Sequence, residues 1–205
     1  GPDVAAAVEV DVTDEAAVAR AVRSAAATYG GVDLVVNNAG LSISKPLVET
    51  TAADWDLQHR IMARGSFLVS REAARVMEAQ GLPADIVYVV SKNAVVAGKD
   101  NVAYGAAKAD QAHQVRLLAA ELGQYGIRIN SIHPGYIWGR SVEWYFGWMA
   151  EQRGITADEV YAEIASETCL GYLPHSSEIA GTVVYLASPL SKPVTGQTIN
   201  VNCGH

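Results

Sequence analysis

The sequence predicts an α/β protein: a doubly wound, three-layer, Rossmann-like parallel sheet. Three observations predict it. Short apolar runs alternate with amphipathic stretches along the chain, with no repeat and no low-complexity linker. Runs such as "VDLVV" and "IVYVV" are continuously apolar, as strands buried on both faces of a parallel sheet require. Four of the predicted strands end in polar or glycine-rich turns, which places those turns on one rim at the carboxyl ends of the strands.

The elements follow in order. "VAAAVEVDV" (residues 4–12) reads as a strand, and Thr13 as the cap of a helix beginning "DEAAVARAV". In that helix Val18, Val22, Ala25 and Tyr29 recur at helical spacing, and "YGG" ends it. "VDLVVNNAG" is a strand opening into a turn, and a long helix spans residues 52–79. "ADIVYVVS" is the next strand, followed by a helix over residues 102–125 that Gly126 closes. "IRINSIHPG" is a strand, residues 142–166 are helical and aromatic, "SSEIAGTVVYLAS" is a helix, and "GQTINVN" is the last strand.

The bulk numbers bound the function. Half of the 205 residues are hydrophobic and 18% are charged, which suits one domain with a sizeable core. A net charge of -7 argues against a nucleic-acid or anionic-membrane surface, since both need clustered Lys and Arg. Cys169 and Cys203 lack metal-ligand spacing and read as small core hydrophobes in a reducing compartment. No apolar run approaches a membrane span, so a soluble cytoplasmic protein is expected.

One stretch carries most of the chemistry: "VVSKNAVVAGKDNVAYGAAK", residues 89–108. Tyr104 and Lys108 are four apart on a predicted helix, so the ammonium and the phenol share a face. A cation beside a phenol favours phenolate, which suits a proton-transfer catalyst. A surface Tyr/Lys pair accounts equally well for that spacing. Ser91 ends a strand, where a hydroxyl can either cap a turn or point at a ligand. "NNAG" (residues 37–40), "HPG" (133–135) and "DVTD" (11–14) end other strands on the same rim.

These motifs, with the closing "TGQTINVNCG", resemble the short-chain dehydrogenase/reductase family over residues 8–204. The resemblance implies a nicotinamide-dependent oxidoreductase that acts on a small-molecule alcohol or ketone and uses NAD or NADP without a metal. Tyr104 would be the general acid/base, and Lys108 would lower its pKa while holding the nicotinamide ribose. Ser91 would orient the substrate oxygen. Asp11 and Val12 would contact the adenine, Asn37, Ala39 and Gly40 would line the cofactor, and Pro134, Gly135, Tyr136 and Ile137 would border the nicotinamide. The chain would be a single dinucleotide-binding domain over residues 1–205, with residues 136–172 as a substrate lid. Homo-oligomers, dimers or tetramers, would form through the two long helices.

Three departures stand out. No GxGxxG or similar glycine-rich turn follows a first strand, so an N-terminal βαβ segment with its phosphate-binding turn is expected to be missing from the chain. Met62 stands where the family usually has asparagine, and Gly139 where threonine is frequent. Trp138, Trp144, Tyr145, Phe146, Trp148, Tyr161 and Tyr172 crowd the lid region. They suggest a bulky, apolar substrate, with lid core or a subunit contact as the alternative. Two other readings of the whole stay open: a non-catalytic dinucleotide-binding or scaffold member of the fold, and the dehydrogenase part of a fused sugar-metabolism enzyme. "SKNAVVAG" with Met62 favours the second.

Overall fold

The structure, a computed structural model, describes residues 5–205. Its elements are α1 (Glu15–Tyr29), β1 (Leu34–Asn37), α2 (Ala52–His59), α3 (Gly65–Gln80), β2 (Ala84–Val89), α4 (Val102–Leu122), β3 (Ile127–Pro134), α5 (Arg140–Arg153), α6 (Ala157–Ser166), α7 (Ser176–Leu186) and β4 (Thr198–Val201). The four strands form one parallel sheet in the order β1-β2-β3-β4. Connections that return through helices put α3 and α4 on one face and α7 on the other, giving three layers.

The strands at the centre are the most apolar and the most buried. On one face Ile86, Tyr88, Ile127 and Ile129 pack against Ala73, Met77 and Val115 of the helices. On the other, Val87 and Ile132 pack against Ile179 and Leu186 of α7. Alternation along a strand, with successive side chains on opposite faces, produces this split. Polar groups inside the core are tied together. The Asn37 amide donates to Ser70 Oγ at 2.9 Å, and Ser70 shares a 2.7 Å hydrogen bond with the Tyr88 hydroxyl.

Three expectations change. Residues 5–12 form no strand, and residue 4 lies outside the described residues. A strand needs a hydrogen-bonded neighbour, and none of the described strands lies beside this segment. The helix that follows is capped by Asp14, not Thr13: the Asp14 carboxylate accepts from the N–H groups of Ala16 and Ala17. Val18 is buried in it, but Ala25 and Tyr29 are exposed. Finally, β1 is covered on only one side among the described residues, leaving Leu34 and Val36 exposed on the other.

The predicted long helix is present but interrupted. Residues Arg60–Arg64 widen into a π turn between α2 and α3. Residues 142–166, expected as one aromatic helical region, fold as part of α5 and all of α6 around a small core of Phe146, Val160, Ile164 and Leu173. Trp138 and Tyr161 close it edge to face, 4.6 Å apart. The backbone N–H of Trp138 donates to Pro174 O, which ties the entry of this helical cap to its exit.

Arg128 joins the layers. Its guanidinium lies 2.8 Å from Asp85 on the neighbouring strand and donates to Leu186 O at 3.0 Å and Ser191 Oγ at 2.8 Å. Burial raises the Asp85 pKa while Arg128 opposes the rise. Removing one partner of so enclosed a pair leaves the other charge uncompensated. Arg128→Met should therefore lower stability by about 3 kcal/mol, read as a reduced urea midpoint. A midpoint equal to wild type would remove Arg128 from this role.

Candidate active site

The register of β2 and β3 builds the site. Val89 pairs with Ile132, and the Val90 N–H donates to Ile132 O, so both strands leave the sheet together. Ser91 follows one strand and Gly135 follows the other. Beyond them opens a cavity of about 1160 Å³, into which Ser91, Tyr104, Gly135, Tyr136 and Ile137 face. Of the sequence-predicted residues, these five are brought together.

Ser91 caps a short turn: its hydroxyl oxygen accepts from the Asn93 N–H at 3.2 Å. The hydroxyl proton is then free to be donated to another oxygen. Tyr104 enters from the first turn of α4 and is largely enclosed. Burial raises its pKa, and the neighbouring Ser91 hydroxyl works against the rise. Lys108, one turn further along, is 4% exposed. Its ammonium donates to Val89 O at 2.9 Å and lies 5.8 Å from the centre of the Tyr104 ring.

Burial moves Lys108 down to about 8. The expected lowering of the phenol by the lysine is not what acts on Tyr104: burial raises it and the Ser91 hydroxyl alone works against the rise. Both groups are shifted so that their neutral forms gain: the shift brings Lys108 toward neutral pH and takes Tyr104 away from it.

The remaining predicted residues lie around this centre. Gly40 sits over Lys108: a Cβ there would stand 3.8 Å from both the Lys108 Nζ and the Met62 Sδ. Ala39 and Gly40 are exposed, so a flat ligand can rest on this backbone. Asn37 is buried and its amide is committed to Ser70. Pro134 is buried behind Gly135. Val12 packs against the start of α3, where a Cβ on Gly65 would come 3.0 Å from its Cγ2. Asp11 is exposed, and hydrogen bonds from Thr13 hold its carboxyl below the ordinary value. Asp11 and Val12 do not line the cavity.

The donor set fits a nicotinamide dinucleotide at the Gly40 shelf, where a ribose hydroxyl can accept from the Lys108 ammonium. Among the described residues no group of three His, Cys, Asp or Glu side chains could hold a metal ion. No helix described is long and apolar enough to cross a membrane.

Several groups at the site escaped the sequence reading. Lys92, Asn93, Asn101, Ser42 and Ser44 all line the cavity. The first two directly follow Ser91, which was the available signal. Gln111 is buried on α4 and donates to Met62 O at 3.1 Å. The two cysteines are not core residues: Cys169 is exposed and Cys203 half-buried.

A pH dependence follows from Lys108. Its ammonium is charged below pH 8 and is lost as pH rises through about 8. Dinucleotide affinity, measured by calorimetry, should weaken across that interval. Lys108→Arg, which stays charged, should flatten the profile. A wild-type profile with no break between pH 7 and 9.5 would contradict the role of this ammonium.

Comparison with known proteins identifies the family. The family model described as enoyl-(acyl carrier protein) reductase matches residues 2–205. The uncharacterized oxidoreductase YuxG of Bacillus subtilis is 39% identical over all of this chain, which spans only 30% of YuxG. The NADP-dependent (R)-specific alcohol dehydrogenase of Lentilactobacillus kefiri is 31% identical over all of this chain and 78% of its own length. The crystal structure of sorbitol-6-phosphate 2-dehydrogenase SrlD from Erwinia amylovora superimposes with a TM-score of 0.94 at 31% identity, covering 100% of this chain and 80% of that one. The chain belongs to the short-chain dehydrogenase/reductase family.

Proposed function

We propose that the protein is a nicotinamide-dependent alcohol dehydrogenase or ketone reductase in which Tyr104 moves the proton. The observation that carries this reading is the placement of Ser91 and Tyr104 on one cavity wall with the Lys108 ammonium buried directly behind them. NAD or NADP, when bound, accepts the hydride from the carbinol carbon or returns it. The chain handles everything else.

Ser91 donates its hydroxyl proton to the substrate oxygen and fixes its direction toward the phenol. In alcohol oxidation Tyr104 acts as the phenolate, whose oxygen takes the hydroxyl proton as the carbonyl forms. In reduction Tyr104 gives that proton back. Lys108 holds a ribose hydroxyl and keeps a positive charge near the phenol. The cap formed by α5 and α6 borders the cavity through Val142, Trp144 and Tyr145 of α5.

The cavity walls are of two kinds. Tyr136, Trp138, Trp144 and Tyr145 form an aromatic side, which supports a bulky substrate with an apolar face. Phe146 and Tyr161 instead fill the core of the cap. Ser42, Ser44, Asn93 and Asn101 form a polar side that suits further hydroxyl groups. Exposed Phe67 on α3 and Leu117 on α4 are consistent with assembly through those helices.

A second reading is that this is the dehydrogenase part of a fused sugar-metabolism enzyme. YuxG favours it, because a stretch like this chain makes up 30% of that longer protein. The likeness to a sorbitol-6-phosphate dehydrogenase favours a polyol substrate.

The test is turnover by the full-length protein on a panel of alcohols, polyols and ketones, followed by nicotinamide absorbance. Tyr104→Phe should lower kcat roughly 10²- to 10⁴-fold while dinucleotide binding persists. Unchanged turnover in that variant removes the mechanism. Tight dinucleotide binding by wild type with no turnover on any substrate supports a non-catalytic role instead.

A further inference from the structure

We propose that Lys92 is the counterion for an anionic substituent, a carboxylate or a phosphate, on the hydroxyl-bearing substrate. This rests on the dehydrogenase reading of the cavity. The residue immediately follows Ser91 and lines the cavity beside the hydroxyl that orients the reacting oxygen.

The charge balance of the cavity carries the inference. The protein has a net charge of -7, yet no aspartate or glutamate lines this cavity. Its charged lining residues are Lys92 and Arg140, both cations. Among the described residues neither has a carboxylate within ion-pair distance. Arg140 stands exposed at the start of α5, on the rim. Lys92 is half-buried.

Around Lys92 stand a π face, an imidazole and, beyond that imidazole, the Glu167 carboxylate, whose charge works against the lowering of Lys92 by burial. Its Nζ lies 5.7 Å from the centre of the Tyr136 ring, close enough for a cation–π contact. It also lies 2.5 Å from His205 Nε2. Burial first, and the Lys92 charge second, push His205 down, so the imidazole is neutral and accepts from the ammonium. Glu167 approaches His205 Nε2 at 3.3 Å and is itself largely exposed. Lys92 is thus a partly desolvated cation held in place by a π face and a neutral ring. Such a cation gains most from an anion that shares its enclosure.

The neutral lining completes the picture. Asn101 Oδ1 is buried without a partner among the described residues and can accept from a substrate hydroxyl. Tyr104 and Ser91 take the reacting oxygen, Asn101 a neighbouring hydroxyl, and Lys92 the charged end. A hydroxy acid or a polyol phosphate presents these groups together. A neutral alcohol leaves the cation uncompensated.

The experiment uses the full-length protein saturated with dinucleotide, so that cofactor phosphates do not compete. Calorimetry compares glycerol, lactate and glycerol 1-phosphate as probes. Wild type should bind at least one of the two anions roughly 10- to 100-fold more tightly than glycerol. Lys92→Met should bring that ratio close to one, and Lys92→Arg should keep most of it, which separates loss of charge from loss of folding. Preference for lactate identifies a carboxylate site, and preference for glycerol 1-phosphate a phosphate site. Equal affinity for all three probes, absence of binding included, overturns the proposal. So does a preference that survives Lys92→Met and disappears in Arg140→Met. An intact anion preference without turnover on any substrate would instead sink the dehydrogenase reading and leave the Lys92 site standing.

Discussion

The pairing of β2 with β3 is the constraint on which the rest of the molecule depends. Val89 sits opposite Ile132, and all of the site's strand-end groups inherit their position from that register. A slip of one residue would exchange the two faces of each strand. Tyr88 would leave its hydrogen-bonded core, Val87 would lose its contacts with α7, and Ser91 would no longer face Tyr104. Burial on both faces makes such a slip prohibitive, because every apolar side chain of these strands would need a new partner. Arg128 reinforces the same pairing from within, since it joins adjacent strands and the end of α7 at once.

On that frame the site is a problem in proton affinity. An enclosed phenol resists ionising and an enclosed ammonium resists staying charged. Placing the two together makes each shift useful. Burial holds Tyr104 toward its protonated form, and Lys108 is charged at neutral pH but not far from losing its proton. Val89 O gives the ammonium one fixed acceptor and leaves its other protons available above Gly40. The position of the ammonium therefore rests on a backbone carbonyl from the central strand.

Most of this could be read in the sequence because it is local. Helical periodicity marked α3 and α4, continuous apolar runs marked β2 and β3, and four-residue spacing placed Tyr104 over Lys108. What the sequence does not carry is the identity of neighbours. "VAAAVEV" has strand composition but no adjacent strand among the described residues, so it forms none. Thr13 and Asp14 are both good capping residues, and only the backbone path decides in favour of Asp14. The aromatic residues of the cap separate into core, cavity wall and exposed surface according to packing that spacing does not encode. Ser42 and Asn101 were invisible as cavity residues because turns have no period that fixes where a side chain points.

Position 62 shows how a backbone group can stand in for a side chain. The π turn at Arg60–Arg64 breaks the regular hydrogen-bond ladder, as π turns do at functional sites. Gln111 and Ser66 both donate to the Met62 carbonyl, at 3.1 and 2.6 Å. The side chain itself is buried, with its sulfur facing the Gly40 shelf. An asparagine here would add a polar group to a pocket that already satisfies its carbonyl through Gln111. Methionine instead supplies a flexible apolar filler beneath the shelf and leaves the carbonyl's orientation to the π turn. The departure at this position changes the side chain while the geometry of the backbone around Lys108 is carried by the turn and by α4.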